Sequence, residues 1–195
     1  MSDIEVQSIR ALNYARNVIA QSRVVELWQD AGAIVHQVGS VRTGLLLHNR
    51  DIDFHIYSDV VDVENSFAVV GRLAANPRIT RVEFRNNLNT DEKCVEWHAW
   101  YQDDEGKEWQ IDMIHIRNDS PFAGYFENVA ERISGALTPE TRKAILIIKD
   151  ALYNVRKVQS IAVYRAVLEG GVRTPAEFDA WCQSNPADGI IEWMP

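Results

Sequence analysis

Hydrophobic positions recur at two periods along this chain. Behind Ser2, apolar residues at Val6, Ile9 and Leu12, then Val18, Ile19, Val24, Val25, Leu27 and Trp28, keep helical spacing. They predict one long helix or two shorter ones, ending near Ala31-Gly32. Ser2 and Glu5 stand as N-cap and N3 of a capping box at its start. Ala33 to Val38 reads as a short apolar strand running into Gly39-Ser40, and the alternation from Asp51 to Tyr57 as a second strand, closed by Ser58-Asp59. From Asp62, residues Val63, Phe67, Val70 and Ala74 return to helical spacing until Asn76-Pro77 stops it. Three more strands follow at about 79–86, 94–102 and 107–117. The polar turn Asp103-Asp104-Glu105-Gly106 joins the last two as a hairpin.

After Pro121 the pattern is helical. Thr138-Pro139 places an N-cap before proline at the first helical position, and Ala144, Ile145, Ile147, Ile148, Ala151, Leu152 and Val155 then form one apolar face. A further helix covers about 158–169 and stops at Gly170-Gly171, and Thr174-Pro175-Ala176-Glu177 is a capping box opening a last one through Phe178 and Trp181. The order is helix, strand, strand, helix, three strands, helices. It implies an α/β (α+β) chain, a mixed sheet core flanked by helices. We expect a core over residues 1–118, with its N-terminal helix, and a C-terminal helical region over 119–195.

Length and composition leave this picture standing. A chain of 195 residues buries about 70% of its unfolded surface, so it forms a core without staples. Its two cysteines, Cys94 and Cys182, have no metal-type spacing and read as small buried hydrophobes. The first residues carry no apolar signal core, and no stretch approaches the ~18 apolar residues of a membrane span, so a cytoplasmic protein is expected. A formal net charge of −8 disfavours broad binding to a phosphate backbone. It leaves room for a local basic pocket, and makes a cationic small molecule or a basic protein surface the easier second substrate.

The chemistry concentrates in VGSVRTGLLLHNRDIDFHIY, residues 38–57. On a strand, Asp51, Asp53 and His55 share one face while Ile52, Phe54 and Ile56 share the other. Two carboxylates this close repel each other and call for a cation. A hard divalent ion such as magnesium takes oxygen ligands and keeps positions open for phosphate oxygens. Asp112, the lone carboxylate between Glu108 and Asp119, is the candidate for a third ligand on a neighbouring strand; a buried aspartate there needs a partner, and a buried arginine would be the plain structural alternative. Gly39 permits close backbone approach, and Ser40 adds a hydroxyl for phosphate oxygens, with Arg42 just behind.

Gly39-Ser40, ten intervening residues, then Asp51-Ile52-Asp53 between apolar neighbours resembles the signature of the nucleotidyltransferase superfamily related to DNA polymerase beta. The trailing helices resemble those of small antibiotic-modifying nucleotidyltransferases and of minimal ones from toxin–antitoxin pairs. The resemblance implies a nucleotidyltransferase-like sheet core and transfer of a nucleoside monophosphate from a nucleoside triphosphate, with magnesium or manganese, to a hydroxyl of a small molecule or protein. Nucleic acid is the least favoured acceptor, and no membrane is involved. By the same resemblance Asp51, Asp53 and Asp112 are metal ligands and catalytic, with Asp112 as general base, and Gly39, Ser40 and Lys149 hold the nucleotide; Arg42 joins the nucleotide-binding set from its position just behind Ser40. Lys149 lies in a stripe with Arg142 and Arg156, spaced by sevens. A contrasting reading is a catalytically weak, antitoxin-like interaction subunit on the same fold, and either form could oligomerise. His55 is expected to pack by hydrogen bonding rather than react. Trp97, Trp100, Tyr101 and Trp109 are expected to fill the sheet packing, with an acceptor pocket as the alternative. Ser160 and Tyr164, four apart on a helix, are weaker candidates for facing the nucleotide.

Overall fold

The computed structural model describes residues 2–186 and 191–195. Its contacts form two compact units, one of Asn13–Val41 with Arg50–Glu127, the other of Met1–Leu12, Arg42–Asn49 and Asn128–Pro195. The elements run α1 (Asp3–Ser22), α2 (Val24–Asp30), β1 (Ile34–Val38), α3 (Gly39–Arg42), β2 (Asp51–Tyr57), α4 (Val63–Ala74), β3 (Ile79–Asn87), β4 (Cys94–Gln102), β5 (Glu108–Ile116), α5 (Tyr125–Ala136), α6 (Pro139–Leu152), α7 (Ser160–Leu168) and α8 (Pro175–Ser184). Among the described residues no helix is long and apolar enough to cross a membrane.

The N-terminal helical run is two helices because Arg23 takes a left-handed conformation, φ 58°, between them. Glu5 folds back on the first turn of α1, accepting from the Ser2 backbone N–H at 2.7 Å and from its hydroxyl at 2.8 Å. In the sheet-bearing unit five strands lie in the order β1-β2-β5-β4-β3. β2 and β5 pair in parallel and every other pair is antiparallel. The β4–β5 turn closes on Asp103, whose Oδ1 accepts from the N–H groups of Glu105 and Lys107, both at 2.9 Å.

One face of this sheet is apolar. Ile52, Phe54, Ile56, Trp97, Tyr101, Ile111 and Met113 are all buried there, and each such side chain contributes about 1.5–3 kcal/mol. α2 and α4 cover them, and their polar atoms find partners. Trp28 Nε1 donates to Met113 Sδ at 3.4 Å, Trp97 Nε1 to Ser66 Oγ at 2.7 Å, and Tyr101 OH to Gln21 Oε1 at 2.7 Å. With the helices on that side, the face bearing Asp51, Asp53 and Asp112 is the one they leave uncovered.

In the helical unit α6, α7 and α8 pack on one another. α6 and α8 both open on capping boxes, Thr138 with Thr141 and Thr174 with Glu177. The expected face of α6 needs correction. Ile147 is 37% and Val155 74% exposed, while Leu146 is fully buried. Val155 lies beyond the helix, which ends at Leu152. Leu146 turns inward because Arg142, Leu146 and Lys149 share a second face, and the segment 42–49 covers it. On that face Lys149 Nζ donates to Leu45 O at 2.8 Å. Arg156 is off the helix and pairs with Asp179, so the basic stripe is reduced to Arg142 and Lys149. Cys94 is buried as expected, whereas Cys182 is only half-buried.

Candidate active site

The central residue of the acidic face is Asp53. Across the antiparallel pair it sits opposite Val38, and across the parallel pair opposite Asp112. Neighbouring strands run about 4.8 Å apart, so the two aspartates are immediate neighbours. Asp51, two residues earlier on the same face, sits opposite Gln110. All three are half-buried.

Gly39 follows Val38 directly, which brings its backbone against Asp53. It adopts φ +65°, and a Cβ built there would lie 2.0 Å from Asp53 Oδ2 and 2.8 Å from Cγ. The Asp53 carboxylate thus occupies the space that any other residue would fill with its side chain, and glycine is required twice over. Ser40, next along, is buried in the first turn of α3.

Asp112 is held from one side. Its Oδ1 accepts from His98 Nδ1 at 2.6 Å and from Gln110 Nε2 at 2.8 Å. The partner of this aspartate is therefore a histidine and an amide rather than a buried arginine. The Asp112 hydrogen bond raises the His98 pKa above its ordinary value; burial opposes this, and the charges of Asp112 and Glu96 add to it. Nothing in the sequence pattern singled out His98 or Gln110. The signal lay in the register, which sets His98 directly opposite Asp112.

The donor set of the three aspartates is entirely carboxylate oxygen, and the glycine beneath Asp53 leaves one carboxylate a cradle free of side chain. Both features fit a hard divalent cation such as magnesium or manganese. A second group, Glu92, Cys94 and Glu96, also brings potential ligand atoms within 4.8 Å of one another. Asn87 Nδ2 already donates to both carboxylates, at 2.7 and 2.6 Å, and burial pushes the Cys94 thiol up to about 12. That group is a structural knot.

Arg42 and Lys149 belong to the helical unit. Arg42 is exposed at the end of α3, and the half-buried Lys149 ammonium lies 5.7 Å from the Tyr164 ring centroid. Tyr164 itself is buried. In the same unit a cavity of about 360 Å³ is lined by Asn49, Lys149, Tyr153, Arg156, Lys157 and Ser160, among others, so it carries a positive wall. Lys157 is a cavity residue that the helical spacing did not suggest.

His55 packs as expected. Its Nδ1 lies 3.0 Å from Glu127 Oε1, and its ring stands edge-on to Phe126 at 5.4 Å. Tyr57 OH donates to the same Glu127 oxygen at 2.8 Å. Burial raises the Glu127 pKa, but the hydrogen bonds and the charge of His55 outweigh it and leave the carboxyl below its ordinary value. Three of the four aromatic residues fill the covered face. Trp100 is the exception: paired with Gln110 on the acidic side, it lies under the Arg81 guanidinium, 3.5 Å from carbon to ring centroid.

No family model and no curated protein matches the chain. Solved structures do. A cytoplasmic RNA terminal U-transferase aligns over 86% of this chain and 48% of its own, at 15% identity and a TM-score of 0.58. The Cid1 poly(U) polymerase, with magnesium and 3′-dATP bound, aligns over 86% and 50%, at 16% identity and a TM-score of 0.59. The polymerase core of TRAMP, an RNA surveillance complex, aligns over 95% and 59%, at 15% identity and a TM-score of 0.52. The chain spans about half the length of the polymerases it matches. These likenesses agree with the resemblance carried by residues 38–57: the chain has the nucleotidyltransferase fold.

Proposed function

We propose that this protein is a metal-dependent nucleotidyltransferase, moving a nucleoside monophosphate from a nucleoside triphosphate to a hydroxyl with loss of pyrophosphate. The observation that carries this reading is the seat of Asp53 on Gly39, beside Asp112 on the parallel strand. An ordinary surface acid has no reason to occupy the space that the missing Cβ of a strand-end glycine leaves. Here the arrangement concentrates negative charge on one face of the sheet, as a cation site requires.

In this reading Asp51, Asp53 and Asp112 would hold the metal, and Asp112 accepts the proton of the attacking hydroxyl. A bound magnesium or manganese ion would neutralise charge on the α-phosphate and on the departing pyrophosphate. The N–H groups at the start of α3 and the Ser40 hydroxyl hold phosphate oxygens. Arg42 and Lys149 are the further candidates for the nucleotide's phosphates; within its own unit Lys149 lines a cavity with a positive wall. Catalysis of this kind rests on positioning and electrostatics, so loss of one carboxylate should be severe.

The acceptor has two supported classes. The net charge of −8 favours a small molecule or a protein hydroxyl. The likeness to an RNA terminal U-transferase and a poly(U) polymerase favours the end of an RNA strand.

Titration calorimetry with ATP, GTP, CTP and UTP, with and without magnesium, tests the reading. We expect magnesium-dependent binding that disappears in Asp51→Ala/Asp53→Ala. Absence of binding by the native protein at millimolar nucleotide would remove the enzyme reading for this chain. Where binding is found, pyrophosphate release in the presence of an RNA oligonucleotide, compared with small-molecule hydroxyls, separates the acceptor classes.

A further inference from the structure

We propose that His98, together with Gln110, is a positioning residue for the third carboxylate: the two clamp Oδ1 of Asp112 and so reserve Oδ2 for the metal and the attacking hydroxyl. The inference rests on the reading of Asp112 as a metal ligand and base, and deepens it.

An aspartate on an open strand face rotates freely about its terminal torsion and exchanges its two oxygens. Asp112 cannot do so without losing two hydrogen bonds. An ionised carboxylate only accepts, so the ring nitrogen at 2.6 Å and the amide nitrogen at 2.8 Å must both donate to the same oxygen. Oδ2 makes no hydrogen bond to any described residue, which leaves it available on the face that Asp51 and Asp53 share. The two donors come from different strands. Gln110 lies two residues before Asp112 on β5, and His98 sits directly opposite on β4.

His98 is itself held. Its Nε2 lies 3.6 Å from Glu96 Oε2, and Glu96 Oε1 accepts from Asn87 Nδ2 at 2.6 Å. Asn87, Glu96, His98 and Asp112 thus form a continuous polar brace across β3, β4 and β5. A group that merely satisfied Asp112 would need one donor and no support behind it. A brace of this length fixes orientation, which is the work that outer ligands do for metal-binding carboxylates.

The test compares His98→Asn with His98→Ala. Both remove the imidazole, but the asparagine Nδ2 stands close to the Nδ1 position and keeps a donor for Oδ1. Manganese uptake is read by electron paramagnetic resonance titration, with and without ATP, on variants whose thermal melts match the native protein. We expect His98→Ala to bind manganese about 10–100-fold more weakly than His98→Asn. Gln110→Met, which removes the other donor at nearly equal volume, should weaken uptake relative to the native protein, and it carries the test if a His98 variant does not fold. Equal uptake by the two His98 variants, or native uptake by Gln110→Met, overturns the positioning role. Asp112→Asn separates the two levels. If it takes up manganese as the native protein does, the reading of Asp112 as a ligand fails, and the brace loses its purpose with it. If it binds weakly while the His98 variants are alike, only the brace is refuted.

Discussion

Replacing Gly39 by alanine perturbs the backbone and the candidate site at once, and the two costs can be separated. The residue sits at φ +65°, where a side chain costs roughly 1–2 kcal/mol. The new Cβ would also lie 2.0 Å from Asp53 Oδ2. Relieving that approach requires the carboxylate to swing away by more than an ångström, at about 0.5–1.5 kcal/mol for a displaced torsion. We therefore expect Gly39→Ala to cost about 2–3 kcal/mol in the native background. Asp53→Ala removes Oδ2 and Cγ and leaves only Cβ, 3.2 Å away, so there the same substitution should cost only the backbone share. Urea denaturation of the four proteins gives a double-mutant cycle with an expected coupling of about 1 kcal/mol. Under the proposed function, calorimetry on the single variant should show weakened magnesium-dependent nucleotide binding, because the carboxylate is displaced from its seat on Gly39. If Gly39→Ala costs the same in both backgrounds, the carboxylate is not seated on the glycine and the reasoning fails.

Three further expectations concern stability. His115 is buried, its Nε2 lies 2.7 Å from Ser58 Oγ, and burial depresses its pKa to about 4. The unfolded chain protonates near 6.5 and the folded one does not, so stability is intact above about pH 6.5 and is lost as pH falls toward 4, by about 2 kcal/mol at pH 5. Urea midpoints of the native protein and His115→Gln at pH 7.5 and pH 5 should diverge by that amount; parallel pH dependence would refute it. Ser66→Ala leaves the Trp97 indole N–H in the core without its acceptor and should cost about 1–3 kcal/mol by urea melt, with Ser66→Thr recovering part of it. Thr174→Ala removes one half of the α8 capping box and should cost about 1 kcal/mol in thermal melts.

Local chemistry made most of the elements legible. The alternation from Asp51 to Tyr57 matches β2 because an apolar residue at every second position leaves one way to bury the strand. Thr138-Pro139 and the Thr174 box mark helix starts because the threonine hydroxyls accept from first-turn N–H groups for which the helix has no acceptor of its own. The two-period pattern also separated the faces of β2 correctly. Register was not legible. His98 meets Asp112 through a cross-strand pairing that no local spacing encodes, and Glu127 meets His55 from a helix 72 residues further along. The face of α6 departs from a single stripe for a related reason: Leu146 is buried on the side where Lys149 reaches Leu45, a hundred residues away in sequence.

The parallel pairing of β2 with β5 carries a consequence for how the molecule comes to exist. Asp53 and Asp112 are brought together only after α4, β3 and β4 have been threaded between them. Closing a chain segment of that length costs roughly 4 kcal/mol of entropy, which the β3–β4 and β4–β5 pairings within it offset only in part. The site therefore belongs to the slow, non-local part of folding. On the ribosome, a chain that has emerged only as far as β4 holds two of the three aspartates and the glycine cradle but lacks the strand that completes them. If the three aspartates hold a metal as proposed, its affinity should appear late, as β5 takes its place between β2 and β4, and cation uptake would report completed topology.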